Sequence, residues 1–243
     1  MIEAMNLSKR FGAIEAVRDI SFVARDGEIT GILGANGAGK STCLRMLYGV
    51  LTPDGGKACI DGIDIRGETS KARAHLGVLP HIAGLYGNLT ARENIRYFGT
   101  LQGIDQARIN SRIGELSRIL GMDSFIERRV KGFSQGQRIK VALARALIHD
   151  PSNIVLDEPT NGLDVMAIRN LRDMLAALKA QGRCVLFSSH VMQEVAALCD
   201  RVIIIGDGKI LADATVASIR DRSGTGSLEE AFLHVLGLGG GTN

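Results

Sequence analysis

The sequence predicts an α/β fold in which helices pack against a mixed, mainly parallel β-sheet, joined to an antiparallel β part and an inserted helical lobe. Three observations predict it: short apolar strands in the first 80 residues, helical periodicity between about residues 90 and 148, and strands alternating with helices after residue 150. With 243 residues, 45% of them hydrophobic and 23% charged, the chain can bury a substantial core.

We expect one domain with two parts. Its core comprises residues 1–80 and 150–236, and the helical lobe comprises about residues 81–149. Residues 237–243 are rich in glycine and are expected to form a flexible tail.

The first part of the chain favours strands, predicted at residues 2–7, 17–23, 28–33 and 76–79. Residues 57–60 and 63–65 flank an Asp61-Gly62 turn, a pair typical of a β-hairpin, so an antiparallel piece surrounds the turn that follows residue 33.

Helical spacing begins at Thr90. Thr90 and Glu93 form a capping-box pattern, and Ile95, Phe98 and Leu101 are predicted to share one face of the helix. A second helix is predicted over residues 105–120, ending at Gly121, with its apolar face formed by Ile109, Ile113, Leu116 and Leu120.

After the helical lobe, apolar runs at residues 153–157, 184–188 and 201–205 alternate with helices. That alternation is expected of a parallel sheet. The amphipathic segment 228–236 predicts a terminal helix that packs on the core.

Residues 34–42 match every fixed position of the phosphate-binding loop pattern. They read Gly34-Ala35-Asn36-Gly37-Ala38-Gly39-Lys40-Ser41-Thr42 and lie between the strand 28–33 and a predicted helix 41–48. Glycines let the backbone aim N–H groups at one phosphate cluster, and the helix N-terminus adds its positive dipole end. The alternative is a glycine-rich turn without a ligand, but the full pattern in this context predicts a P-loop NTPase core that binds a nucleoside triphosphate.

Two side chains of the loop have predicted partners. Lys40 is expected to reach the β and γ phosphates, and Ser41 is expected to present its hydroxyl to Mg²⁺.

Asp157 and Glu158 end an apolar strand and should therefore lie at the carboxyl edge of the sheet, beside the phosphate loop. Asp157 is a candidate Mg²⁺ ligand, directly or through water, and Glu158 is a candidate general base for the attacking water. Alone, such a pair is more often loop solvation or a helix cap, but the phosphate loop favours the catalytic interpretation.

Ser134 is a predicted N-cap, and the helix that it opens runs through Leu147. Read alone, Ser134, Gly136 and Gln137 are only a capped helix start with free backbone donors.

The order of these motifs resembles the ATP-binding cassette (ABC) ATPase family over nearly the whole chain. The resemblance is carried by the phosphate loop, the Ser-x-Gly-Gln helix start at 134–137, Asp157-Glu158-Pro159-Thr160, Asn161-Gly162-Leu163-Asp164 and His190. It implies that two cassettes pair head to tail, as a homodimer or heterodimer, with each ATP between the phosphate loop of one and Ser134, Gly136 and Gln137 of the other.

The resemblance also assigns roles to single residues. Asp164 matches the loop that communicates across the dimer interface, and His190 matches the histidine that contacts the γ phosphate and supports the base; the alternative for His190 is a strand-end histidine with a local hydrogen bond. Phe11 matches the aromatic position that stacks on adenine, although an apolar loop residue is an alternative, and Val17 would flank the base.

The sequence departs from the family pattern at two positions. The family has glutamine, a contact of Mg²⁺ and the lytic water, where this chain has His81. By the resemblance His81 would occupy that place and is a third candidate metal contact beside Ser41 and Asp157, although its neutral nitrogen can accept or donate only one such bond at a time. Gln135 replaces a usual glycine, which is compatible with ordinary helix-start geometry.

Composition restricts the partners. The net charge of +3 is mild and spread along the chain, which argues against nucleic acid. Cys43, Cys59, Cys184 and Cys199 are widely spaced, so reduced core thiols are expected rather than zinc or disulfides. The sequence predicts no signal peptide and no membrane span, hence a cytoplasmic chain; by the resemblance it docks, on the inner face of the membrane, on integral permease subunits.

Within the family, segments 84–94 and 227–232 resemble bacterial exporter cassettes of the sodium-efflux and multidrug type. One alternative is a soluble ABC ATPase acting on a macromolecular partner other than a transporter, although such proteins usually carry two cassettes, a coiled-coil insertion or zinc-binding cysteines. A second alternative is a module that senses ATP without hydrolysing it, but the presence of Glu158 and His190 argues against this function.

Overall fold

The computed structural model describes residues 1–82 and 84–218. Within them lie the strands β1 Ile2–Phe11, β2 Ile14–Ala24, β3 Ile29–Leu33, β4 Gly55–Ile60, β5 Ile63–Asp64, β6 Leu76–Leu79, β7 Asn153–Asp157, β8 Cys184–Ser189, β9 Arg201–Gly206 and β10 Lys209–Thr215. The helices are α1 Lys40–Leu47, α2 Thr69–Ala74, α3 Ala91–Leu101, α4 Gln106–Leu120, α5 Gln135–Leu147, α6 Val165–Ala180 and α7 Met192–Leu198. The predicted terminal helix 228–236 and tail 237–243 lie outside the described residues.

Two sheets form the framework. One has four antiparallel strands in the order β2-β1-β4-β5, and the other has six strands in the order β10-β9-β3-β8-β7-β6. In the six-stranded sheet all neighbours are parallel except β9 and β10. The predicted fold class is confirmed, and the strand β3 that leads into the phosphate loop belongs to the parallel sheet rather than to the antiparallel part.

Strands β3, β7 and β8 are buried at every residue, as expected of a parallel sheet covered on both faces. One apolar cluster joins a face of this sheet to α4 and α5. The other lies between the two sheets and encloses α1, so the helix that follows the phosphate loop is clamped in the core.

Helix α3 begins as predicted but faces the core differently. Thr90 and Glu93 form the capping box, with Glu93 N donating to Thr90 Oγ1 at 3.1 Å. Ile95 is buried, but the prediction that Leu101 shares its face was wrong: Leu101 is 64% exposed. Gly99 takes the buried place on the last turn, where Ile109 of α4 leaves room only for a residue without a side chain.

Helix α4 follows the prediction closely. Asp105 caps its N-terminus by accepting from Arg108 N at 2.9 Å, and Gly121 ends it in the left-handed conformation with φ 60°. Its buried face contains the predicted residues Ile109, Ile113, Leu116 and Leu120. The chain between the neighbouring parallel strands β6 and β7 thus leaves the sheet, builds α3, α4 and α5, and returns beside its starting point.

The strand β10 was not predicted. Its residues alternate between exposed and half-buried, since successive side chains of a strand point to opposite faces, and it lies at the edge of the six-stranded sheet.

The four cysteines are free thiols. Burial raises the pKa of the Cys43 thiol, which lies behind the phosphate loop, to about 12.

Among the described residues, no helix combines the length and apolarity that crossing a bilayer requires.

The contact of β6 with α5 gives a stability prediction. A Cβ at Gly77 would lie 2.5 Å from the backbone oxygen of Ala146 and 2.8 Å from Pro151 Cγ. We therefore expect Gly77→Ala to lower the free energy of unfolding by about 1–3 kcal/mol, because the side chain overpacks this contact. Gly114→Ala is the control: a Cβ there meets open space within helix α4, so the same change should raise stability by about 0.5–1 kcal/mol. Urea denaturation measures both, and equal effects of the two variants would contradict the packing argument.

Candidate functional site

The phosphate loop connects β3 to α1, and two of its glycines are required by close approach. A Cβ at Gly34 would lie 2.3 Å from the backbone oxygen of Ile205, and one at Gly39 would lie 2.4 Å from that of Ala16. Gly39 also has φ 105° and forms the N-cap of α1 without a side-chain cap. The N–H groups of the first helical turn therefore have no capping side chain at the mouth of the loop.

Lys40 lies inside this loop. Its ammonium group donates to the backbone oxygens of Gly34 at 2.8 Å and Ala35 at 3.1 Å, and the side chain is only 5% exposed. Lys40 Nζ is also 3.6 Å from Glu158 Oε1, so a cation and a carboxylate meet at the loop.

Asp157, at the end of β7, connects the loop to the sheet. Its Oδ1 accepts from Ser41 Oγ at 3.1 Å and from Ser188 Oγ, at the end of β8, at 2.7 Å. Its Oδ2 is buried without a protein partner. Burial and, next in size, the charge of Asp157 raise the pKa of the nearby Tyr48 phenol.

The oxygens of Ser41 and Asp157 fit a magnesium ion. Mg²⁺ takes hard oxygen ligands and is commonly held by one or two carboxylates together with substrate phosphates. An unpaired buried carboxylate oxygen beside a hydroxyl offers such a donor set. Among the described residues no group of three or more His, Cys, Asp or Glu side chains could hold a metal by protein ligands alone.

Glu158 and His190 form a close pair. His190 Nδ1 lies 2.6 Å from Glu158 Oε2, so the carboxylate accepts a hydrogen bond from Nδ1. The other nitrogen of the His190 ring, Nε2, points away from this carboxylate. The Glu158 side chain is 10% exposed, and its backbone has φ 54°, in the left-handed region that residues with side chains seldom adopt. The pair therefore combines a nearly buried carboxylate with a more accessible imidazole.

These groups converge on a cavity of about 460 Å³. Its lining combines loop residues with groups from the sheet edge: Ala16, Asn36, Gly37, Gly39, Lys40, Ser41, Thr42, Arg45, His81, Glu158, Asn161 and His190. A second cavity of about 320 Å³ shares His81, Glu158 and Asn161 with the first. His81 is exposed and lines both cavities.

The helix start at residues 134–137 lies apart from the loop. Ser134 and Gln137 cap each other reciprocally, at 3.1 and 3.2 Å, and Ser134 is exposed. Neither Ser134 nor Gly136 lines either cavity, whereas Gln135 lines the smaller one. Gln135 also packs against Gly162, since a Cβ there would lie 3.0 Å from Gln135 Cγ.

Asp164 caps helix α6 by accepting from Ala167 N at 2.7 Å. It is exposed and follows directly on the loop that Gln135 contacts.

The two residues predicted to contact adenine differ in accessibility. Phe11 ends β1 and is 50% exposed, with Lys9 Nζ 5.8 Å from its ring centroid. The prediction for Val17 needs correction, because this side chain is 0% exposed and belongs to the cluster between the two sheets. Strand alternation turns Val17 into the core and brings its neighbour Ala16 to the cavity.

Ser188 was missed by sequence analysis although it touches both carboxylate residues. It donates to Asp157 Oδ1 and accepts from Glu158 N at 3.1 Å. The signal was present only indirectly: β7 and β8 are adjacent, and their register pairs Asp157 with Ser188. Strand order, which sequence alone did not give, is needed to pair them.

A phosphate loop that faces a carboxylate pair at the edge of a parallel sheet is the arrangement of a nucleoside triphosphatase. A family model described as ABC transporter matches residues 17–161, more than half of the chain. The chain therefore belongs to the ABC transporter family, as an ATP-binding subunit with ATPase activity.

Relatives and solved structures agree with this assignment. The chain is 43% identical over 241 residues to the ABC transporter ATP-binding protein NatA of Bacillus subtilis (strain 168), covering 97% of this chain and 98% of that protein. It is 37% identical over 214 residues to the Nod factor export ATP-binding protein I of Rhizobium sp. (strain N33), covering 88% and 70%. The solved ATP binding subunit of an ABC transporter superposes with a TM-score of 0.90 at 29% identity, covering 97% of this chain and 99% of that chain.

Proposed function

We propose that this chain is the ATP-hydrolysing motor of an exporter, working as a pair of cassettes on separate membrane subunits. The observation that carries the proposal is the convergence of Lys40, Glu158 and His190 on one cavity at the mouth of the phosphate loop. A cation for the phosphates and a carboxylate for the water are the groups that phosphoryl transfer to water requires.

Lys40 and the free N–H groups of α1 bind the β and γ phosphates. With ATP present, the phosphate oxygens compete with the carbonyls of Gly34 and Ala35 for the Lys40 ammonium group. The remaining loop residues Asn36, Gly37, Ala38, Gly39 and Thr42 shape the cradle, and Phe11, half exposed at the end of β1, stacks on adenine.

Ser41 and Asp157 hold Mg²⁺. When bound, the ion supplies charge neutralisation on the β and γ phosphates. Asp157 Oδ2, which is buried without a protein partner, supports this assignment. His81, at the junction of the two cavities, is a further group that faces the same space.

Glu158 accepts the proton of the attacking water, a step worth about 10²- to 10⁴-fold in rate. His190 donates from Nδ1 to Glu158 Oε2 and so fixes the orientation of the carboxylate. Its exposed side turns toward the cavity, where the γ phosphate lies in this proposal.

A second cassette completes the site. Ser134, Gly136 and Gln137 offer a capped helix N-terminus, but the first two line neither cavity of their own chain. An exposed helix N-terminus that cannot serve its own loop is suited to the γ phosphate bound by a partner. Asp164, exposed at the start of α6, lies in the loop that carries the state of one site to the other.

Residues 81–149 act as the lobe that docks on integral permease subunits, at the cytoplasmic face of the membrane. Support comes from the apolar side chains that this segment exposes around α3: Ile82, Tyr86, Tyr97 and Leu101. The export direction is supported by the resemblance to the Nod factor export protein. The alternative function, a soluble ABC ATPase on a macromolecular partner other than a transporter, predicts a different protein on the same lobe.

Hydrolysis is tested with Glu158→Gln. The change keeps the shape of the side chain but removes its basicity, so we expect the single-turnover rate to fall by about 10²-fold or more while ATP affinity is retained. Glu115→Gln, which changes a carboxylate paired with Arg112 in the helical lobe, should leave the rate unaltered. Equal rates for wild type and Glu158→Gln would remove the general-base role.

Sharing of the site is tested by mixing two inactive variants. Lys40→Ala disables the phosphate loop and Ser134→Arg disables the helix start, so each should be inactive alone. In a head-to-tail pair containing one copy of each, one of the two sites keeps both an intact loop and an intact helix start. We expect the mixture to regain ATP hydrolysis; a mixture as inactive as its components would contradict the shared arrangement.

Docking is tested by affinity purification from detergent-solubilised membranes of the native host. We expect the wild-type chain to bring down an integral membrane protein and Leu101→Glu, on exposed α3, to lose it. Ile119→Glu is the control, because Ile119 is 53% exposed on α4 beside a different cavity. Recovery of a soluble macromolecular complex instead, sensitive to the same variant, would favour the alternative function.

A further inference from the structure

Glu194 lies in a buried polar network behind the site. It belongs to α7 and is 9% exposed. Its Oε2 accepts from Thr160 Oγ1 at 2.6 Å and from Ser189 Oγ at 2.8 Å. Both hydroxyl residues are buried as well, at 8% and 1% exposure. One carboxylate oxygen therefore joins two segments that are distant in the sequence.

Those two segments carry the pair that acts on water in the proposed function. Thr160 follows Glu158 by two residues, and Ser189 directly precedes His190. Ser189 Oγ also accepts from Val191 N at 2.9 Å, which fixes the backbone on the other side of His190. The segments of Glu158 and His190 are thus linked twice. One link is their direct contact of 2.6 Å, and the other is formed by the hydrogen bonds of Glu194 to Thr160 and Ser189.

The segment after β7 needs such support. Glu158 has φ 54°, and a residue with a side chain stays in this region only where its surroundings hold it there. Ser188 Oγ holds the segment at Glu158 N, and Glu194 holds it at Thr160. Removing the second support would let the strained turn relax and carry the Glu158 carboxylate away from His190.

A carboxylate at position 194 can hold the two segments together, whereas an apolar side chain would only fill the space. A buried carboxylate is costly unless donors surround it, and a leucine would fill similar space without that cost. Only an acceptor can receive both hydroxyl protons at one oxygen. The two hydrogen bonds fix where the hydroxyl groups of Thr160 and Ser189 point and how far these two residues lie from each other.

We propose that Glu194 is a positioning residue for hydrolysis, which sets the geometry of Glu158 relative to His190 through Thr160 and Ser189. This role rests on the proposed function, in which Glu158 and His190 act on the attacking water. Glu194 itself touches neither of them in the contacts described above.

The first experiment compares Glu194→Leu with Glu194→Gln. The leucine variant loses both bonds, so we expect kcat to fall about 10- to 100-fold, with KM for ATP changed less than about twofold, because the phosphate loop is untouched. The glutamine variant keeps an accepting oxygen and should recover most of the lost kcat. Equal impairment of the two variants, or an unchanged kcat in Glu194→Leu, would overturn the proposal.

A matched control separates positioning from stability. Ser117, buried at the end of α4, donates to Asp123 at 2.5 Å, far along the chain from the site. Ser117→Ala removes a buried hydroxyl bond of the same kind and should lower the melting temperature without lowering kcat. If Ser117→Ala reduces kcat as much as Glu194→Leu does, the effect is one of general stability and the inference fails.

Two further variants keep the test valid if Glu194→Leu does not fold. Thr160→Val and Ser189→Ala each remove one of the two bonds and should each lower kcat. Wild-type kcat in both single variants would contradict the role of the network.

A readout without turnover completes the design. The chain has five histidines, so the His190 imidazole can be assigned by NMR. We expect its Nδ1 proton resonance, shifted by the short contact with Glu158, to move in Glu194→Leu and to return in Glu194→Gln. Loss of rate in Glu158→Gln together with an unmoved resonance in Glu194→Leu would overturn this inference alone, whereas a normal rate in Glu158→Gln would overturn the proposed function.

Discussion

The site depends on the contacts of one buried carboxylate, Asp157. Its Oδ1 joins Ser41, at the start of α1, to Ser188, at the end of β8, while its Oδ2 stays buried without a protein partner. Because α1 is clamped between the two sheets, this contact fixes the phosphate loop relative to the sheet edge. An ATPase must hold phosphate, ion and water in one geometry, and here the loop and the carboxylates are joined directly.

Strand order explains why three distant pieces of sequence meet at this point. The strands β3, β8 and β7 are neighbours and run parallel, so their carboxyl ends lie at one edge. The first leads into the phosphate loop, the second into His190, and the third into Glu158. All three strands are buried throughout, which leaves their ends, rather than their faces, available for chemistry.

Local patterns were predictable because their causes are local. The phosphate loop, the caps at Thr90 and Ser134 and the end of α4 at Gly121 depend on residues within a few positions of one another. Ser188 and the link from Glu194 to Thr160 were not predicted, because these contacts join residues 31 and 34 positions apart in the sequence and depend on the order of the strands in the sheet. Val17 was misplaced for a related reason: which of two successive strand residues faces the cavity depends on the sheet packed behind them.

The left-handed backbone of Glu158 explains how one site can use two successive carboxylates. In a regular strand neighbouring side chains point to opposite faces, so Asp157 and Glu158 would be separated by the sheet. Strand β7 ends at Asp157, and the next residue takes φ 54°, which turns its side chain back to within 3.6 Å of Lys40. The turn is maintained by backbone and hydroxyl bonds, including Asn161 N to the Glu158 oxygen at 3.2 Å. Strain at this residue is therefore the geometric condition for placing the carboxylates of Asp157 and Glu158 beside one phosphate loop, and the hydrogen bonds of the buried polar groups behind it hold the strained turn in place.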